Sequence, residues 1–206
     1  MKLTKLQKRC VALSFQRKLS HLSSALNTVD VLEAIYERRD PNDPVVLGNS
    51  HAALALFAVL ESRGLCDAEE MVRTQGTHAA RDLAKGVWVS GGSLGQAETI
   101  AVGMAIAKPG QTVWLVTSDG ACMEGATWEA MRTAAALVLV NLQVTIIYNG
   151  YGAYGPISMH WIKQLTAGVP RVDIHRADKT EWPAWMGGLQ GHYLTLTDAQ
   201  HGELMT

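Results

Sequence analysis

The stretch that decides the fold is residues 112–155, TVWLVTSDGACMEGATWEAMRTAAALVLVNLQVTIIYNGYGAYG. It holds two apolar runs, 112–117 and 142–148, with a segment of helical length between them. This pattern predicts two parallel strands joined by a crossover helix. Because parallel strands end at the same edge of a sheet, we expect Asp119 and Asn149, which follow the two runs, to lie side by side.

An acid and an amide at one sheet edge are a plausible pair of ligands for Mg²⁺. This ion binds one or two protein carboxylates and completes its octahedron with phosphate oxygens and water. Gly120 and Gly125 would let backbone N–H groups approach an anion closely. The residues therefore predict a magnesium–diphosphate site at the carboxyl edge of a parallel sheet, where open α/β folds usually bind ligands.

The composition is ordinary for one globular α/β domain, with 206 residues of which 48% are hydrophobic and 18% charged. A net charge of −1 gives no reason to expect nucleic acid or a membrane surface as a partner. No apolar run reaches membrane-spanning length, and the N-terminus lacks the apolar core of a signal peptide. The three widely spaced cysteines suggest reduced thiols and a cytoplasmic setting.

Weaker patterns place the other elements. We expect an amphipathic helix at 4–19, a short buried strand at 45–47 and a buried helix at 52–62. Asn27 or Thr28 is expected to cap a further helix, and Asp198 the last one. The segment 67–87 is polar and weakly patterned, so no element is assigned there. In the helix after Asp119, the predicted inward face is Trp128, Met131 and Leu137.

Several polar residues allow both an ordinary and a functional interpretation. His21 and His78 lie in expected loops, where a single histidine is often incidental. His51 lies near the start of a helix and could simply cap it. The glycine loop 91–95 leads directly into a helix and could cradle a phosphate, although such loops are common in α/β turns. Glu124 is favourable at a helix N-terminus whatever its function.

In combination these motifs resemble the transketolase family of thiamine diphosphate enzymes, and specifically its diphosphate-binding (PP) domain. The resemblance covers about residues 18–155. The matching segments, in the order of the family, are HLSSALNTVDVLEAIY (21–36), VLGNSHAALALFAVLESRG (46–64), SGGSLGQAETIAVGMAIA (90–107), SDGACMEGATWEA (118–130) and NLQVTIIYNGYGAYG (141–155).

The resemblance implies an α/β fold with three αβα layers and a mostly parallel central sheet, the PP-type thiamine diphosphate-binding fold. We expect a single domain over 1–206, with its core at about 18–155 and a shortened C-terminal region at 156–206. No pyrimidine-binding (Pyr) domain is recognisable in the sequence. The resemblance therefore implies a separate Pyr-domain chain as partner, in a heterotetramer of two copies of each chain.

The resemblance also implies a role for each matching residue, with thiamine diphosphate and Mg²⁺ as cofactors. The implied Mg²⁺ ligands are the side chains of Asp119 and Asn149 and the carbonyl of Tyr151. The implied cofactor contacts are His51, Gly92, Leu94, Gly120 and Asn149. The implied catalytic residues are His21, His51 and His78, which line a sugar channel, and Glu124, which belongs to a network that links paired active sites.

The expected reaction is transfer of a two-carbon ketol unit between sugars or sugar phosphates. Two alternatives stay open: another thiamine diphosphate-dependent ketol or acyl transferase, such as a deoxyxylulose-phosphate synthase-like enzyme, and a degenerate binding module without catalytic activity. The second is motivated by the missing Pyr domain, by the short segment 156–190, and by Ser118, which replaces the glycine that normally starts the metal motif of the family.

Overall fold

The computed structural model describes residues 2–152, 155–177 and 182–206. In chain order its helices and strands are α1 (Lys5–Arg17), α2 (Leu22–Arg38), β1 (Val45–Leu47), α3 (Ala53–Ser62), α4 (Ala68–Gln75), α5 (Gln96–Ala107), β2 (Val113–Ser118), α6 (Gly125–Ala136), β3 (Leu142–Tyr148), β4 (Tyr151–Gly152), β5 (Gly155–Pro156), α7 (Met159–Leu165), β6 (Val172–Arg176), α8 (Gly188–Tyr193) and α9 (Asp198–Met205). Among these residues no helix combines the length and apolar character needed to cross a membrane.

The chain divides into two compact units. The helical unit comprises Met1–Glu37, Ser50–Gly86 and Asp178–Thr206, and the sheet unit comprises Arg38–Asn49 and Val87–Ala177. The expected single domain over 1–206 stays a prediction.

The sheet unit is built on four strands in the order β1-β2-β3-β6, each parallel to its neighbours. Strand β2 is buried along its whole length, and β3 is buried up to Ile147. The register pairs Ser118 with Ile147, so the two central strands end together. The predicted α/β class with a mostly parallel central sheet is confirmed, as are the bounds of β1 and β3.

Helices α5 and α6 pack on the sheet with small residues. The buried positions of α6 are Thr127, Ala130, Met131 and Ala134, at the i, i+3, i+4, i+7 spacing of one helix face. The predicted inward face was therefore wrong for Trp128 and Leu137, which are 38% and 54% exposed. Helices α5 and α6 contact each other, and three of the buried residues of α5 and two of those of α6 are alanines.

The helical unit is organised around α1, which contacts α3, α4 and α9. The guanidinium of Arg9 donates to both carboxylate oxygens of Glu61 on α3, at 2.7 and 2.8 Å, and to Glu69 on α4 at 3.1 Å. The bond to Arg9 holds the pKa of Glu61 below its ordinary value. Below these polar contacts lie the buried side chains Cys10, Leu13, Leu54, Phe57 and Met71.

Several predicted helix boundaries in the helical unit were wrong. Helix α2 begins at Leu22, so Asn27 and Thr28 lie inside it and are buried instead of capping it. Helix α4 lies within the segment that received no element. Its N-cap is Asp67, whose carboxylate accepts the N–H groups of Glu69 and Glu70. The last helix, α9, is capped by Thr197 and not by Asp198.

Val138 offers a test of the end of α6. This residue follows the helix with φ of +50° and is 62% exposed. A β-branched residue in the left-handed region is strained, so Val138→Gly should raise the free energy of unfolding by about 1 kcal/mol. At Leu137, where φ is −89°, the matched change to glycine should instead lower it by about 1 kcal/mol. Urea denaturation measures both, and equal losses at the two positions would contradict the prediction.

Candidate metal centre and histidine cluster

The carboxylate of Asp119 joins the ends of the two central strands. Asp119 follows β2 and is fully buried, and its N–H donates to the carbonyl of Ile147 on β3 at 3.0 Å. Its Oδ2 accepts the N–H groups of Asn149 and Gly150, both at 2.7 Å, and its Oδ1 accepts the N–H of Gly120 at 3.0 Å. The structure thus places Asp119 and Asn149 side by side, as the strand pattern predicts.

The loop after β3 is held in a tight turn. Gly150 has φ of +83°, a conformation that favours glycine. The amide oxygen of Asn149 accepts the N–H of Tyr151 at 2.9 Å, in the manner of an Asx turn. Tyr151 then opens the short β4–β5 hairpin, and its side chain is 55% exposed. Ala153 and Tyr154, which belong to the matching segment 141–155, lie outside the described residues.

The residues at this edge fit a magnesium ion. Among the described residues no group of three or more His, Cys, Asp or Glu side chains could hold a metal, so a metal here would have to use amide and main-chain oxygens as well. One carboxylate, one amide oxygen and one main-chain carbonyl form the hard oxygen set that Mg²⁺ accepts. The amide oxygen of Asn149 has two lone pairs and accepts one N–H, so it can also face an ion.

Gly120 leaves space beside this donor set. Its φ of −60° suits any residue, and an added Cβ would meet only ordinary contacts, 3.7 Å from Ser118 Oγ and 3.8 Å from Gly152 Cα. The packing of the chain therefore does not require glycine here, and the absent side chain leaves room for a bound anion. In this structure the Gly120 N–H is donated to Asp119.

Ser118 is accommodated without strain on the turn. Its side chain is buried, and its hydroxyl oxygen accepts the N–H of Ala121 at 3.2 Å. The hydroxymethyl group of Ser118, which the expected glycine would lack, therefore stabilises the turn after Asp119.

The glycine loop and Glu124 meet where α5 and α6 begin. Gly92 is exposed with φ of +147°, and Leu94 is half-buried. Gly95 is the N-cap of α5, and a Cβ added there would lie 2.8 Å from the Cβ of Glu124. Glu124 is the N-cap of α6 but its side chain makes no capping hydrogen bond, so helix capping does not account for this carboxylate.

An apolar cleft also lies in the sheet unit, a feature that the sequence patterns did not predict. It has a volume of about 170 Å³ and is lined by Cys122, Met123, Trp128, Trp161 and Ile162. The indole rings of Trp128 and Trp161 stand edge to face with centroids 6.4 Å apart. Met123 and Trp161 are 45% and 55% exposed, so the cleft opens onto an apolar surface.

The helical unit brings histidines together. The ring centroids of His21 and His51 are 5.2 Å apart, and His192 lies 4.5 Å from the first and 5.4 Å from the second. His78 is hydrogen-bonded through Nδ1 to the hydroxyl of Ser50 at 3.3 Å, next to His51 in the chain. We call His21, His51, His78 and His192 the histidine cluster.

His192 is a member of the cluster that sequence reasoning missed. The sequence patterns assign no role to His192, which lies on the short helix α8. The carbonyl of His192 accepts the N–H of His21 at 2.9 Å. No periodic pattern marks so short a helix, so only its pairing with His21 reveals the contact.

The half-buried imidazoles of His21 and His51 are neutral near pH 7. Burial, reinforced by neighbouring histidines, lowers the pKa of His51 to about 3 and that of His21 to about 4. His21 has φ of +67°, an uncommon conformation outside glycine, and its Nδ1 is hydrogen-bonded to Ser20 Oγ at 2.7 Å. Backbone strain of this kind is concentrated at functional sites.

Comparison with known proteins finds similarity to transketolases. No protein-family profile matches the chain. Over 157 residues the chain is 32% identical to an uncharacterized transketolase family protein of Sinorhizobium fredii. This match covers 66% of this chain and 56% of that protein. Over 151 residues it is 31% identical to the 6-deoxy-6-sulfo-D-fructose transketolase subunit SqwG of a Clostridium species, covering 64% of this chain and 55% of the subunit. The chain thus spans about half the length of these curated relatives.

The fold is that of transketolase. The solved structure of transketolase from Leishmania mexicana matches 85% of this chain and 37% of its own with a TM-score of 0.68, at 21% sequence identity. This similarity confirms the predicted fold class.

The bonds of Asp119 predict a structural effect that does not depend on any metal. Asp119→Asn places an amide N–H₂ among backbone N–H donors, so it should lower the free energy of unfolding by about 2–3 kcal/mol. Asp198→Asn, at an exposed helix start, should change it by less than about 0.5 kcal/mol. Urea denaturation in the presence of a chelator compares them, and equal effects would show that the carboxylate does not tie the loops together.

The histidine cluster predicts acid sensitivity. Folding lowers the pKa of His51 from 6.5 to about 3, so the neutral ring contributes to the free energy of unfolding. This contribution is complete above pH 6.5 and is lost as the pH falls toward 3. At about pH 5 the loss from His51 should be about 2 kcal/mol. His51→Asn should remove it, whereas His175→Asn, at an exposed position on β6, should retain it. Denaturation curves between these pH values test this, and an unchanged slope in His51→Asn would contradict it.

Proposed function

Because this chain is a homologue of transketolase-family proteins, we propose that it is the magnesium- and diphosphate-binding subunit of a split transketolase-like enzyme. The proposed reaction transfers a two-carbon ketol unit between sugars or sugar phosphates. The observation that carries the proposal is the pairing of Asp119 with Asn149 at the ends of β2 and β3.

In this proposal the sheet unit binds the cofactor. Asp119, Asn149 and the carbonyl of Tyr151 hold Mg²⁺, and Gly120 leaves space for the diphosphate. Gly92 and Leu94 contact the aminopyrimidine of thiamine diphosphate. When bound, thiamine diphosphate supplies the carbon nucleophile for the ketol unit, while the protein supplies binding and orientation.

The histidine cluster binds substrate in this proposal. A neutral imidazole carries one donor and one acceptor nitrogen, so it can orient sugar hydroxyls and relay protons between them. The lowered pKa values of His21 and His51 keep both rings in that form at neutral pH. His78 and His192, the other two members of the histidine cluster, also contact the substrate in this proposal. His51 is assigned to the cofactor as well as to the substrate.

The proposed partner is a chain that carries a Pyr domain, in a heterotetramer. Three observations support a partner. One relative, the 6-deoxy-6-sulfo-D-fructose transketolase of a Clostridium species, is named as a subunit. Glu124 is half-buried and makes no capping bond, so its carboxylate can meet a partner. The cleft between Trp128 and Trp161 presents aromatic surface of the kind that is enriched at interfaces.

A binding module without catalytic activity is the alternative. One observation favours it: the Gly120 N–H, which would face the diphosphate, is bonded to Asp119. In that case the Asp119 carboxylate would serve only to join the loops.

Cofactor titration tests the cofactor-binding part of the proposal. Asn149→Ala removes one ligand and one N–H acceptor, so it should weaken Mg²⁺-dependent binding of thiamine diphosphate about 10–100-fold. His78→Ala should leave that affinity intact and lower turnover in the assembled enzyme. Isothermal titration calorimetry with Mg²⁺ or with a chelator measures the affinities, and circular dichroism checks that both variants are folded.

Two results would overturn the proposal. If the unaltered chain binds no thiamine diphosphate in the presence of Mg²⁺ and its partner, the binding-module alternative gains support. If His78→Ala and Asn149→Ala lose cofactor equally, the assignment of His78 to substrate is wrong. Purification from the native source followed by mass spectrometry identifies the partner, and the expected result is a Pyr-domain chain.

A further inference from the structure

A buried carboxyl group lies near the metal centre without belonging to it. Glu98 is in the first turn of α5 and is 0% exposed. The hydroxyl of Thr117 on β2 donates a hydrogen bond to its Oε1. Its Oε2 is buried and has no hydrogen-bond partner among the described residues. An incompletely bonded carboxyl in a core is costly, so it calls for an explanation.

Gly48 provides the space for this carboxyl. Gly48 follows β1, and its N–H donates to the carbonyl of Val116 on β2 at 2.6 Å. An added Cβ there would collide with Oε1 of Glu98, and would lie only 2.7 Å from Oγ1 and 2.9 Å from Cβ of Thr117. The three residues are therefore fitted to one another at the carboxyl edge of the sheet.

The surroundings of Glu98 favour its neutral form. Burial is the main cause of a raised pKa for this carboxyl, and the charge of Glu124 on α6 adds to it. On the turn after β2, the pKa of the Cys122 thiol is raised chiefly by burial, and the charges of Glu98 and Asp119 add to it. Among the described residues no cation acts on the pKa of Glu98, so a protonated Glu98 fits the site best.

We propose that Glu98 is a positioning residue for the cofactor site. Its neutral carboxyl ties the first turn of α5, and with it the glycine loop 91–95, to Thr117, which lies two positions before Asp119 in β2. The loop and the strand end that carries Asp119 are thereby held in one arrangement. The inference rests on the proposed function for its purpose, but the contacts can be tested without cofactor.

A double-mutant cycle tests the fit between Gly48 and Glu98. Gly48→Ala should lower the urea midpoint in the unaltered chain, because the new methyl group displaces the carboxyl. In the Glu98→Ala background the clash with the carboxyl is absent but the contact with Thr117 remains, so the same change should lower the midpoint by a smaller amount. Equal shifts in both backgrounds would overturn the proposed fit.

Hydrogen exchange separates positioning from general stabilisation. Glu98→Ala should speed amide exchange in residues 91–97 about 10-fold while β3 exchanges as before. Glu98→Gln keeps the shape and the acceptor for Thr117, so it should retain slow exchange. Uniform acceleration over both segments, or none in 91–97, would overturn the proposal. Failure to bind thiamine diphosphate would count only against the proposed function, because this measurement uses the chain without cofactor.

The pH dependence gives a further readout. Folding raises the pKa of the Glu98 carboxyl, so its protonated form stabilises the folded protein. This contribution is complete at pH values below the pKa of the unfolded chain, and it is lost as the pH rises through the pKa of the folded chain. Between about pH 5 and pH 8 the urea midpoint of the unaltered chain should therefore fall by about 0.5 M more than that of Glu98→Gln. The same fall in both proteins would show that Glu98 does not hold a proton in the folded state.

Discussion

The carboxylate of Asp119 is the constraint on which the candidate metal centre depends. It accepts N–H groups from its own turn and from the loop after β3, so two loops distant in sequence share one charged acceptor. Charge-assisted bonds of this kind are about twice as strong as neutral ones. The parallel register makes the arrangement possible, because it ends β2 and β3 at the same level. Asn149, Gly150 and Tyr151 take their positions from that anchor.

The two units contribute different chemistry. The sheet unit presents oxygen ligands and small residues, which suit a cation and an anion. The helical unit presents the histidine cluster, in which the half-buried rings of His21 and His51 are uncharged at neutral pH. In the proposed function, the first set holds the cofactor and the second orients the substrate. The apolar cleft and the carboxylate of Glu124 are proposed there as contacts for a second chain.

How far the sequence predicts the structure depends on the range of the interactions. Strands β1 and β3 and the meeting of Asp119 with Asn149 follow from apolar runs and from the rule that parallel strands share an edge. Helix α4 was missed because its start is determined by the capping hydrogen bonds of Asp67, and apolar periodicity does not reveal them. Trp128 was misplaced because hydrophobicity does not reveal which side of a helix needs small residues. Contacts such as His21 with His192 and Glu98 with Thr117 arise only from tertiary packing.

The lowered pKa values of His21 and His51 have a consequence for ligand choice. Because these two rings are uncharged at neutral pH, they provide no electrostatic attraction for a phosphate group. Each neutral ring offers one donor and one acceptor, so it distinguishes ligands by the positions of their hydroxyl groups. In the proposed function, these two histidines therefore orient the hydroxyl groups of the substrate, and other residues would have to bind any anionic end of it.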